Sequence, residues 1–215
     1  MVVQVGEIYT SSNCGNMEVI EYINSKKVKV RFIATGYEKF AEAGDIRNGA
    51  VKDVLVPSVY GVGYIGSGPH KAEISKNRTK EYATWQSMLQ RCYDPKHHIK
   101  NPNYKGCSVV KEWHNFQVFA PWFNEHYIDG YHLDKDIKVP GNKVYGPDTC
   151  TFVTQAENTV AAHAPTVVFR NPAGERVEVH NVSAFARETG LNRSCLSALN
   201  TGKRKTHMGW TKWVD

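Results

Sequence analysis

The chain has 215 residues, which allows one ordinary domain or two to three small ones. Hydrophobic residues make up 41%, so a core is available and global disorder is excluded. The 27 Lys and Arg against 21 Asp and Glu leave +6 with neutral histidines, a mild basic bias that permits a polyanionic partner without establishing one.

Residues 1–68 read as a small, strongly bent β-barrel of SH3-like type. Glu18–Tyr22 and Lys27–Phe32 alternate or nearly alternate, with a turn at Asn24-Ser25 and further turns at Gly36-Tyr37 and from Gly44 to Gly49. Gly61, Gly63 and Gly66 match the spacing GxGxxG of dinucleotide-binding turns. Gly68-Pro69 follows at once, where that fingerprint needs a helix N-terminus, so a turn-rich boundary is the expectation. The polar, basic stretch 69–80 reads as a linker.

Residues 81–162 form the second expected unit. Tyr82, Trp85, Met88, Leu89 and Cys92 recur at helical spacing after a capping Thr79. Val109, Trp113, Phe116, Phe119 and Phe123 repeat the pattern. Pro121 interrupts it, which predicts a kink or two short helices. Leu133 to Ile137 reads as a strand, Lys138 to Pro147 as a loop, Thr151 to Thr154 as a returning strand and Gln155 onward as a helix. That order can bring Asp134 near Asn158, a carboxylate and an amide oxygen suited to Mg²⁺ or Mn²⁺.

Residues 166–215 form the third. Val167–Arg170 and Arg176–His180 flank Asn171-Pro172-Ala173-Gly174, a hairpin signature. Ser183 is placed to cap one short helix, Gly190 to break it and Asn192 to cap a second, the helix-turn-helix layout. This tail holds +4 of the net +6. A second helix lying in a major groove would turn Arg193, Ser194, Ser197 and Asn200 toward bases or sugar, while Lys203, Arg204, Lys205 and Lys212 contact phosphates. The alternative is a solvated basic cap on a packing module.

Several words of the middle segment together resemble the HNH, or ββα-metal, endonuclease family, in its bacteriophage and homing-endonuclease branch. They are Trp85-x-x-Met88-x-x-Arg91-Cys92-Tyr93, Tyr104-Lys105-Gly106-Cys107, Trp113-x-x-Phe116-x-x-Phe119, Leu133-Asp134-Lys135-Asp136, Tyr145-Gly146-Pro147-Asp148-Thr149-Cys150 and Gln155-x-x-Asn158. The tail resembles the helix-turn-helix modules attached to such nucleases. The resemblance implies an α+β chain with a central HNH-like unit between the N-terminal barrel and the C-terminal hairpin and helices.

It further implies that Asp134 is the first metal ligand and Asn158 the closing one. Lys135 stands where the family has its general-base histidine, and Thr149 where it has a central Asn. A lysine is protonated near neutral pH, so Lys135 suits a phosphate clamp better than a base. His132, two residues before Asp134 on the same strand face, is open to two roles, base or third metal ligand. The activity implied is Mg²⁺- or Mn²⁺-dependent cleavage of double-stranded DNA. The two family departures keep open a DNA-binding protein that no longer cuts, and the low net charge keeps open a phage accessory protein acting on other proteins.

Cys92, Cys107 and Cys150 could hold a structural Zn²⁺ with His97 or His98, but their spacing matches no compact zinc motif and core packing is expected. Five cysteines, an odd number without a dense framework, suggest a reducing compartment. The absence of a long apolar run and of a signal-peptide pattern makes a membrane partner unexpected. A cytoplasmic location, in an infected host cell if the chain is phage-encoded, is the expectation. A homodimer is compatible with this reading.

Overall fold

The computed structural model describes residues 2–139, 141–163 and 166–214, with backbone alone at 160–163. Two compact units emerge: residues 1–127 with 143–148, and residues 128–142 with 149–215. Pro140 of the expected loop lies outside the described residues.

The first unit begins with β1 (Ile8–Ser11), β2 (Gly15–Asn24), β3 (Lys27–Phe32) and β4 (Glu38–Ala41), paired antiparallel in chain order. Alternation places Met17, Val19, Val28, Val30 and Phe32 on one buried face. On the other face Arg31 pairs with Glu18 and Lys29 with Glu38, at 2.9 and 2.7 Å. No barrel closes. The chain leaves β4 into α1 (Ala43–Arg47), where turns alone were expected, and Ala43, Ile46 and Val51 complete the core. With a helix covering the buried face, β1 and β4 stay as edges, so the SH3-like barrel expectation is replaced by an open, helix-covered meander.

The basic stretch after residue 69 holds a small hairpin of β5 (Glu73–Ile74) and β6 (Asn77–Arg78). Next come α2 (Lys80–Tyr93), with Thr79 Oγ1 accepting from the Tyr82 amide as its cap, and the short α3 (Pro95–Lys100). β7 (Ser108–Val109) precedes α4 (Phe116–His126), which runs on through Pro121 as one helix. Pro121 is exposed, so its ring is turned away from the core, and its cost to the helix is local: a missing N–H and crowding of the carbonyl four residues back.

The apolar faces of α2 and α4 build an aromatic core. Trp85, Phe116, Phe119, Phe123 and Trp113 are buried, and the Trp85 indole N–H donates to the Trp113 carbonyl at 2.6 Å. The glycine-rich segment lies across this core as a strap. Gln117 clamps it, donating to the Ile65 and His70 carbonyls and accepting from the His70 amide. A Cβ on Gly63 would stand 2.3 Å from a Leu89 methyl and 2.9 Å from Trp85, both fully buried. Gly63, Gly66 and Gly68 permit close packing, whereas Gly61, with open space at its Cβ position, serves a turn at φ 76°.

The second unit contains β8 (His132–Asp134). Within the first unit, which also takes in residues 143–148, β9 (Val144–Tyr145) pairs in parallel with β7. β10 (Thr151–Val153) returns antiparallel to β8, and α5 (Gln155–His163) follows alongside β8. Then come β11 (Val167–Arg170), β12 (Arg176–Val179), α6 (Val182–Thr189), α7 (Arg193–Asn200) and β13 (Thr211–Lys212). The sheet order is β12-β11-β13, so the late word around Trp210 adds a third strand to the expected hairpin. Asn181, rather than Ser183, caps α6, because the helix starts at Val182 with Ser183 already inside it, and Asn181 Oδ1 accepts from the Ser183 and Ala184 amides. Phe169, Leu196 and Leu199 form a separate small core.

Gly63→Ala is expected to destabilise the chain by about 1–3 kcal/mol, since buried Leu89 and Trp85 have nowhere to move. Gly44→Ala, in open space within α1, is expected to be neutral or mildly stabilising. Urea denaturation of both variants checks the contrast.

Candidate functional site

Three of the candidate residues, His132, Asp134 and Lys135, lie at the end of β8. Leu133 is buried between β8 and its surroundings, and alternation puts His132 and Asp134 on the opposite face. His132 is exposed and Asp134 half-buried. The strand is shorter than the expected Leu133–Ile137. Asp134 Oδ1 accepts from the Asp136 amide at 2.9 Å and the Ile137 amide at 2.7 Å, which bends the chain out of the ladder. Asn142 Nδ2 donates to the Lys135 carbonyl at 2.7 Å and holds the turn from its far side.

Lys135 is turned inward. It is 7% exposed, and its ammonium donates to Asp136 Oδ2 at 2.9 Å. Its charge therefore reaches the site through Asp136 rather than through solvent. Asp134 and Asp136 are linked through the Asp136 amide, and their carboxyls pull apart in acidity. Burial pushes Asp134 above the usual carboxylate range; the Ile137 and Asp136 amides pull against this, and the neighbouring Asp136 charge adds to the rise. Burial also opposes ionisation of Asp136, but the hydrogen bond and charge of the Lys135 ammonium, with smaller help from Asp134 and the backbone, together hold that carboxyl below its ordinary value.

Asn158 lies half-buried on α5, the helix that runs alongside β8. That helix starts in a capping box. Glu157 accepts from the Thr154 amide and hydroxyl at 2.9 Å, and the Glu157 amide donates to Thr154 Oγ1 at 3.2 Å. The word Thr154-x-x-Glu157 was the sequence signal for this start. Thr149 is half-buried, just ahead of β10.

The residues suit a hard divalent cation. Two neighbouring carboxylates repel when both are ionised, and Mg²⁺ or Mn²⁺ takes one or two carboxylates while keeping several waters. Asp134 and Asp136 would be its holders. Asp136 was not among the expected ligands, although its spacing of two from Asp134 was visible. Among the described residues no three His, Cys, Asp or Glu side chains gather as a metal cage. Cys92 and Cys107 are buried in the first unit and Cys150 in the second.

The expected nucleic-acid residues fall on two elements and a loop. On α7, Leu196 and Leu199 face the core, while Arg193, Ser194 and Ser197 are exposed and Asn200 lies half-buried at the edge of that face. Gly190, at φ 70°, ends α6, and Asn192 caps α7 through the Cys195 amide, so the two helices are joined by a tight turn. Lys203, Arg204 and Lys205 are exposed in the loop after α7. Arg204 folds back, its guanidinium donating to Cys195 Sγ and its amide to the Ala198 carbonyl. Lys212 is exposed on β13, apart from that loop in sequence. Trp213 lies beneath the Arg170 guanidinium at 4.9 Å.

No known family's sequence pattern matches the chain, and no curated protein matches it. One solved structure, described as DNA binding and cleavage by the HNH homing endonuclease I-HmuI, aligns over 100% of this chain and 91% of that one. The identity is 13% and the TM-score 0.24, a likeness that carries no argument about activity. No helix among the described residues is long and apolar enough to cross a membrane.

Asp134→Asn keeps an oxygen for the two amides but loses the charge, whereas Asp134→Ala loses both. The Ala variant is expected to be less stable than the Asn variant by about 1 kcal/mol per lost amide bond. Thermal melts of the pair check this.

Proposed function

We propose that the chain is a divalent-metal-dependent endonuclease of HNH type acting on double-stranded DNA. The observation that carries this reading is the carboxylate pair Asp134 and Asp136, set where the first strand of a strand–loop–strand–helix ends, beside α5. The motif words of the sequence and the basic tail support it.

In this reading Asp134 and Asp136 hold the metal, with Asn158 offering an amide oxygen from α5. A bound Mg²⁺ or Mn²⁺ supplies charge neutralisation at the scissile phosphate and the leaving oxygen. His132, exposed on the Asp134 face, takes a proton from the attacking water as the new P–O bond forms. The P–O3′ bond breaks, and the 3′ oxygen takes a proton from solvent. Lys135 is a positioning residue: its ammonium keeps Asp136 ionised and fixed. The face of α7 bearing Arg193, Ser194, Ser197 and Asn200 reads bases, and Lys203, Lys205 and Lys212 grip phosphates.

A second reading, a DNA-binding protein without cleavage, is favoured by one observation. The residue at the family's base position, Lys135, is buried against Asp136 and offers no base.

Plasmid nicking with Mg²⁺, with Mn²⁺ and with EDTA separates the two. The endonuclease reading expects metal-dependent nicking that Asp134→Asn lowers by about a hundredfold or more, while duplex affinity stays within a few fold. Wild-type binding without nicking in either metal supports the second reading. For the tail, Arg193→Ala and Asn200→Ala are expected to reduce discrimination between target and random duplex by roughly 1–3 kcal/mol per bidentate contact. Lys203→Ala with Lys205→Ala is expected to weaken both duplexes about equally. Fluorescence anisotropy across a salt series reads both effects. Arg204 is left intact because it braces α7 through Cys195.

A further inference from the structure

The hairpin β5–β6 has features that no packing role explains. All six of its residues, from Glu73 to Arg78, are exposed, and Ile74 is 60% exposed. A two-stranded hairpin without an apolar face is marginal in water, so this one is held at its base instead. Thr79 donates through its hydroxyl to the Lys71 carbonyl and through its amide to the Ala72 carbonyl. Arg78 donates to Gln86 on α2 at 3.0 Å. The tip then carries two consecutive non-glycine residues at positive φ, Ser75 at 50° and Lys76 at 66°. A turn of that pattern favours Asn-Gly, and a lysine there is uncommon. Backbone strain of this kind persists where a side chain has a task.

The charge indicates the task. Residues 71–80 hold four basic residues, Lys71, Lys76, Arg78 and Lys80, against one acid, Glu73. Residues 81–160 hold eight basic residues and nine acids, so the positive excess of the middle segment resides entirely in this short stretch. We propose that the hairpin is a second DNA contact, separate from α7, in which Lys76 at the tip meets the duplex phosphate backbone. The proposal rests on the reading of the chain as DNA-binding. It assigns the hairpin affinity without sequence choice, because a lysine on phosphate carries no base information.

The test uses the full chain with Ser75→Asn and Lys76→Gly together, which gives the turn its preferred residues and removes the charge. Thermal stability should hold or rise, which separates this variant from one that fails to fold. Affinity for a random duplex should fall roughly fivefold near 0.1 M salt, and the salt slope should drop by about 0.9, one phosphate contact. Ser75→Asn alone, which keeps the lysine, should bind as the wild type does. A double variant with wild-type affinity and slope overturns the hairpin contact while leaving the DNA reading intact. A wild-type chain that binds no duplex at low salt overturns both.

Discussion

Asp134 Oδ1 accepts two amide N–H groups, from Asp136 and Ile137, and by doing so ends β8 and turns the chain back on itself. The rest of the candidate site follows from that turn. It brings the Asp136 carboxyl against Asp134, and it swings Lys135 inward, where the ammonium meets Asp136 instead of water. A buried lysine next to a carboxylate is stable only as a pair, since either charge alone would be costly in a low dielectric. The pair also leaves the two carboxyls unequal, with Asp134 held toward protonation by burial and Asp136 held toward ionisation by Lys135. A bound cation would favour both as ionised oxygen donors.

The first unit supplies rigidity of another kind. Trp85, Trp113 and Phe116 interlock across α2 and α4, and Gln117 ties the glycine strap over them with three hydrogen bonds. Gly63 lies where side chains from α2 leave no room for a methyl group. A spacing that suggests phosphate binding thus serves close packing, because what glycine contributes at Gly63 is the absence of a Cβ.

Positive charge is distributed by element rather than spread over the surface. The tail and the stretch before α2 carry the excess, and the remainder is near balance or acidic. Two separate basic elements suit a partner with a long, regular array of negative charge, and local acid elsewhere limits indiscriminate attraction.

What the sequence by itself determined was local. Thr79 as a cap, the hairpin around Asn171–Gly174, the stop at Gly190 and the restart at Asn192 all follow from backbone groups satisfied by residues a few positions away. The two strands and the helix around Asp134 were legible for the same reason, whereas β9 inside the expected loop 138–147 was not, because its partner β7 is distant in sequence. Tertiary structure decided the rest. Whether the N-terminal strands close into a barrel depends on which element covers Val19 and Val30, and α1 does so. Whether Lys135 faces solvent depends on Asp136 and on a turn braced by Asn142, seven residues away. Burial, and the acidity shifts it causes, belong to the packed chain, because they depend on what surrounds a side chain rather than on what adjoins it in sequence.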